Sequence, residues 1–157
     1  MIYGLNVLST IKSFIESKYG VGVPTVCLDE FNPNVLGDQI VLEDYPQFGE
    51  SISKTMFKRV HKVKVSVYVK PLVYDEASLD AAKLRLINIK DRLDVLFVYN
   101  KYSISGLSKV NLGEWDEAET VSRGFGVKTQ LLDTFVSSQT LTVTYYDYVP
   151  NDAQEST

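Results

Sequence analysis

Residues 62–70 read Lys-Val-Lys-Val-Ser-Val-Tyr-Val-Lys, with valine at 63, 65, 67 and 69. Successive side chains of an extended strand point to opposite sides of its sheet. The period of two therefore sets Val63, Val65, Val67 and Val69 on one face, and Lys62, Lys64 and Ser66 on the other. The pattern predicts a strand with one dry face and one wet one. Pro71 cannot donate to a central ladder, so regular pairing is expected to end near it.

A valine face of this kind needs cover, and the flanking sequence supplies helices. Downstream, Leu79, Ala82, Leu86, Ile89, Leu93 and Leu96 recur at alternating spacings of three and four. That period predicts an amphipathic helix from Leu79 to about Val98. Ser78 suits its N-cap, and Glu76 and Asp80 suit the positive end of its dipole. The apolar stripe is too short for a coiled coil and is expected to pack on a sheet. Upstream, Val7, Leu8, Ile11, Phe14 and Ile15 predict a second helix over about Leu5 to Tyr19, stopped by Gly20, Gly22 and Pro24.

The remaining segments read as extended or irregular. Thr25–Phe31 is a short candidate strand closed by the turn signal Asn32-Pro33-Asn34, and Gln39–Leu42 is another. Asp44–Ser53 reads as a long loop or protruding hairpin. Tyr102–Leu107 and Val127–Phe135 are predicted strands. Thr140, Thr142 and Thr144, alternating with Leu141, Val143 and Tyr145, give the strongest β signal of the last third. Between them, Glu114–Glu119 reads as a solvated acidic loop, and the glycines around Phe125 as a turn or bulge. The expected class is α+β: a mostly antiparallel β-sheet flanked by an N-terminal helix and one long amphipathic central helix. A single domain is expected over residues 1–149, with a flexible tail at 150–157 that lacks an apolar anchor.

Composition narrows the function. A chain of 157 residues with 45% hydrophobic residues is long enough to bury a core without disulfides or metals. Its net charge of −4 argues against gripping nucleic acid through a broad basic face. No apolar run approaches the ~20 residues of a membrane helix, and the first lysine is Lys12, so neither a membrane anchor nor a secretory signal is expected. One cysteine excludes an internal disulfide, and one histidine excludes the usual Cys/His zinc patterns.

The chemistry-bearing residues give no constellation. His61 shares the parity of Val63 and Val65, and reads as a strand-end residue at the edge of the core. Cys27, between Val26 and Leu28, reads as a small buried hydrophobe. Gly124-Phe125-Gly126 lacks the residues of a phosphate-binding loop. No calcium loop is present. No catalytic residue, cofactor or metal is therefore expected. Lys54, Lys58, Arg59, Lys62 and Lys64 read as the solvated face of an edge strand, with a phosphate or acidic-partner contact as the functional alternative. The ten tyrosines and seven phenylalanines are more than the two helical stripes and the valine face absorb, which favours a protein interface.

The ordered series resembles the tail terminator, or tail completion, proteins of long-tailed bacteriophages. It runs from an N-terminal helix at about 5–19 through short strands, a protruding segment at 44–53 and a long strand at 62–70. An amphipathic helix at 79–98 and terminal strands ending at 141–149 complete it. The resemblance covers nearly the whole chain, in length and element order. It implies a homo-oligomeric ring, typically a hexamer, that caps the tail tube and joins it to the neck or connector protein in the virion. Assembly would take place in the host cytoplasm, with no membrane involved. It also implies that genome DNA passes through the lumen without specific binding. On that reading, Tyr45, Phe48, Phe57, Lys58, Arg59, Trp115, Tyr146 and Tyr148 are candidate subunit or ring-stacking contacts, and Asp44, Glu50, Glu114, Asp116 and Glu117 candidate acidic lumen or loop residues. The alternatives are another neck or tube component (a head–tail joining protein or a tube subunit), a small α+β enzyme or ligand-binding domain, and a nucleic-acid binder using the 54–64 basic run.

Overall fold

A computed structural model describes residues 6–35, 37–70, 76–125 and 130–148, with only the backbone described at 46–48, 120–125, 130–133 and 148. The chain order is α1 (Val7–Lys18), β1 (Thr25–Leu28), β2 (Gln39–Ser51), β3 (Met56–Val69), α2 (Glu76–Tyr99), β4 (Lys109–Asn111), β5 (Glu119–Phe125) and β6 (Gln130–Tyr148). The expected α+β class holds. One sheet, ordered β1-β2-β3-β6-β4 with β5 also on β6, is antiparallel except for the β1–β2 pair.

The valine face is where the sequence placed it. Val63, Val65, Val67 and Val69 are sealed from solvent with Ile40 and Leu42 of β2 and Leu141 and Val143 of β6. Register puts these on the same face: Val65 pairs with Leu42, and Val63 with Leu141. Both helices cover that face. α1 contributes Val7, Leu8, Ile11, Phe14 and Ile15, and α2 contributes Ala82, Leu86, Ile89, Leu93, Leu96 and Phe97. Asn6 caps α1 by accepting from the Ser9 amide at 3.0 Å. Its other end is capped across the fold, where Arg92 of α2 donates twice to the Tyr19 carbonyl at 2.7 and 3.0 Å. α2 begins before the predicted start, so Ser78 lies inside its first turn and is not the N-cap.

Several expectations are corrected. β3 is not an edge strand: β2 and β6 flank it along most of its length, so Lys58, Lys62 and Lys64 occupy the face away from the helices. His61 is not at a strand end, because β3 continues five residues beyond it to Met56. Of the loop-or-hairpin alternatives for 44–53, the hairpin is observed: β2 runs through Ser51 and pairs with β3 as far as Phe57. Tyr102–Leu107 is a series of turns. The Ser103 amide bonds Asn100 and the Leu107 amide bonds Ile104, and Gly106 takes a φ of 87° that a strand does not tolerate. Of the glycines around Phe125, expected to mark a turn or bulge, Gly124 belongs with Phe125 to strand β5, and Gly126 lies outside the described residues. Residues 130–135 and 141–148 of the two predicted strands are parts of one 19-residue strand, and 127–129 and 149 lie outside the described residues.

β6 crosses the polar run Ser137-Ser138-Gln139 with tertiary partners on its two serines, while the buried Gln139 Oε1 has no partner among the described residues. Ser138 Oγ bonds Ser66 Oγ at 2.8 Å on β3, and its amide donates to the Asp116 carboxylate at 2.7 Å. The Asp116 amide in turn donates to the Ser138 carbonyl at 2.9 Å. Asp116 thus fills the gap on β6 between the strands β4 and β5. The predicted tail at 150–157 lies outside the described residues.

Candidate functional site

The sheet is longer than the helical layer. On the helix side the aliphatic core stops at Val63 and Val143, and the next positions outward are polar. His61 Nδ1 meets the Asp44 carboxylate at 2.8 and 3.0 Å, and the Tyr145 hydroxyl lies 3.3 Å from His61 Nε2. This carboxylate–imidazole–phenol chain is part-buried. Burial pushes the Tyr145 hydroxyl above its ordinary range; Asp147 and Asp44 add to the rise and Arg59 opposes it. A carboxylate that orients an imidazole can serve proton transfer. Here the chain closes the core where helical cover runs out.

Beyond this chain the ends of β2, β3 and β6 form an arm without helices on it. Arg59 donates through Nε to Asp147 at 3.2 Å, and its guanidinium stacks 4.5 Å from the centroid of Phe57. Asp147 is almost fully buried, and its Oδ1 has no partner among the described residues. The arm ends in a turn at 52–55, where Ile52 and Lys54 are exposed. Tyr45 is also exposed, with its hydroxyl donating to Glu43 at 2.7 Å, a bond that raises the phenol's pKa. At the opposite end of the sheet, β5 and the start of β6 form a two-stranded hairpin that overruns β3, whose pairing ends at Val69 with Phe135.

The second feature is the solvent side of α2. Leu84, Ile87, Val95 and Val98 are exposed at 58%, 52%, 48% and 60%. With Asp80 and Asp91 they follow spacings of four, three, four, four and three, so they share one face, opposite Leu86 and Leu93. Tyr99, exposed at 81%, extends it. The flanks of the helix are occupied within the subunit. Arg85 pairs with Asp38 at 3.0 Å and Arg92 holds Tyr19 on one side. On the other, Lys90 lies over Trp115, whose indole donates to Asp94 at 2.8 Å. α2 is therefore apolar on two opposite faces, and the described residues of its own fold bury only one.

The structure brings seven of the eight predicted contact residues together. Tyr45, Phe57, Lys58, Arg59 and Tyr146 lie on the three-stranded arm, with Lys58 opposite Tyr146. The backbones of Phe48 and Tyr148 lie there too, opposite Val60 and Met56; their side chains are outside the described set. Trp115 does not join them, since it packs against the core beside α2. The five predicted acidic residues do not form one cluster. Asp44 is on β2, bonded to His61, and Glu50 is on the same strand, whereas Glu114, Asp116 and Glu117 lie in the connection that borders β6, on the other side of β3. The free face of α2 is absent from the predicted set. Its signal is in the sequence, as a second three/four period offset from the first.

No protein-family model matches the chain, and no curated protein is significantly similar to it. Among the described residues, no group of three or more His, Cys, Asp and Glu is placed to hold a metal ion, and no helix is long and apolar enough to cross a membrane. A cleft of about 690 Å³ runs between α1 and the 103–105 turn and is lined by Ser9, Thr10, Ser13, Phe14, Ser17 and Ser105 among others; His61 is not part of it. Cys27 is half-buried in β1, and burial pushes its thiol above the ordinary range, away from reactivity.

Proposed function

We propose that this chain is a structural virion protein: a ring-forming tail terminator of a long-tailed bacteriophage that caps the tail tube and joins it to the neck. The single observation that carries the reading is the free apolar face of α2. Contiguous exposed apolar surface on a folded domain marks a place where another protein sits. A helix with two apolar faces in a two-layer fold calls for a third layer from outside. The arm of β2, β3 and β6, with its aromatic and cationic residues, adds a second contact surface of different character. Two unlike surfaces on one subunit suit head-to-tail association, which closes into a ring when the rotation between neighbours permits. The ring itself, its partners in tube and neck, and passage of DNA through its lumen come from the resemblance in element order. The net charge of −4 fits a lumen that does not hold DNA.

Light scattering with negative-stain electron microscopy of the purified protein tests this. A terminator forms one closed ring of defined subunit number and stops. Long cylinders would instead identify a tube subunit. A monomer at every concentration would remove the reading.

A further inference from the structure

We infer that the free face of α2 is covered, in the assembled protein, by the β2–β3 arm of a second copy of this chain. The inference rests on reading the chain as a ring former and assigns which two surfaces meet. The exposed parts of Leu84, Ile87, Val95, Val98 and Tyr99 amount to on the order of 500 Å². That is most of the roughly 800 Å² each partner contributes to a standard interface. The face is therefore large enough to be the centre of a stable contact.

Charge selects the occupant. The only ionisable side chains along the centre of the face are Asp80 and Asp91, because Lys83, Lys90, Arg85 and Arg92 lie on the flanks against their own subunit. Residues 49–62 of the arm hold Lys54, Lys58 and Lys62 against one acid, Glu50, while Arg59 is paired with Asp147 of its own subunit. The arm also presents apolar surface, with Ile52 exposed at 51% and Phe57 half-buried beneath Arg59. Pairing α2 with α2 of another copy would set the acidic centres against each other, and like charges across an interface are costly. Bringing the arm instead gives each aspartate a cation and the aliphatic residues an apolar partner. The arm continues the plane of the sheet, whereas the free face of α2 points away from that plane. A subunit's own arm therefore does not reach it, and the contact is between copies. Such a contact uses a different surface on each side, which is the requirement for a closed head-to-tail ring.

Cysteine cross-linking tests the pairing. In a Cys27→Ser background, Val95→Cys and Ile52→Cys each alter an exposed side chain, and circular dichroism checks that both variants fold. A disulfide needs the two Cα atoms within about 7 Å, so it reports direct apposition. The expected result is that mild oxidation of the two proteins mixed gives a covalent heterodimer, while neither alone cross-links. The chain carrying both substitutions gives covalent multimers up to the ring. Self-cross-linking of Val95→Cys would overturn the inference in favour of helix-to-helix pairing. Rings seen by microscopy with no 52–95 bond would overturn it and leave the ring reading standing. A protein that stays monomeric throughout would overturn both.

Discussion

Leu93→Ala and Leu84→Ala make the same chemical change on the same helix and should differ sharply in effect. Leu93 is fully buried in the core, and Leu84 is exposed at 58% on the free face. Removing a sealed leucine loses its transfer free energy and leaves a cavity, so Leu93→Ala should cost about 3–4 kcal/mol. For a chain of this size each kcal/mol shifts the melting temperature by about 2–4 °C, which places the loss near roughly 10 °C. Full burial of a leucine is worth about 1.5–3 kcal/mol, and less than half of Leu84 is buried, so its removal should cost no more than about 1 kcal/mol. The better helix propensity of alanine offsets part of that. The assay is thermal and urea unfolding followed by circular dichroism over a range of protein concentrations. Association stabilises the folded state by mass action, so the wild-type melting temperature should rise with concentration. Leu84→Ala should flatten that dependence while leaving the dilute-limit value nearly unchanged. Leu93→Ala should lower the dilute-limit value and keep the dependence. Equal losses from the two substitutions in the dilute limit would refute the assignment of one buried and one free face to α2.

Three further outcomes follow from the arm and the sheet. Arg59→Ala leaves buried Asp147 without its only described donor and should cost about 1–3 kcal/mol in urea unfolding; Asp147→Asn, which removes the charge, should cost less, and the reverse order would contradict the pairing. A Cβ on Gly113 would sit 2.5 Å from the Thr140 carbonyl oxygen, a backbone atom that cannot swing aside. Gly113→Ala should therefore destabilise by about 1–3 kcal/mol and speed hydrogen exchange of the Ser138 amide, which Asp116 protects three residues on; unchanged exchange would refute the role of that connection. Burial raises the Tyr145 hydroxyl in the folded state above its unfolded value of 10.0. The stability this contributes is fully present below pH 10 and is lost as the pH rises through the folded value. Unfolding free energy should thus fall above that pH, less steeply in Tyr145→Phe, and equal alkaline slopes would count against it.

The sequence by itself determined each repeating pattern and the face it buries. Period two over 63–69 and over 140–145, and period 3.6 over 7–15 and 82–96, arise from backbone geometry acting on near neighbours. The core they specify is the one observed: Val63 to Val69, Leu141 and Val143 beneath Ile11, Ile15, Leu86 and Leu93. Strand ends were not legible in the same way. β2 and β3 continue through 44–51 and 56–61, where a lysine, an arginine, a proline and a glycine break the alternation, because each strand supplies the other's ladder. β6 likewise continues through Ser137-Ser138, where Ser66 and Asp116 supply hydrogen-bond partners from outside the strand.

Only the tertiary structure decided which distant residues met. Asp44 pairs with His61 across 17 positions, Tyr145 reaches His61 across 84, and Arg59 reaches Asp147 across 88. No local period carries that information; the register of three strands sets it. α2 divides differently. Its two apolar stripes are both written in the chain, and the sequence marks only the one without ionisable residues, Leu79 to Leu96, for burial. The sheet can lie against only one side of a helix, so packing chose the Leu86–Leu93 side and left Leu84, Ile87, Val95 and Val98 facing outward.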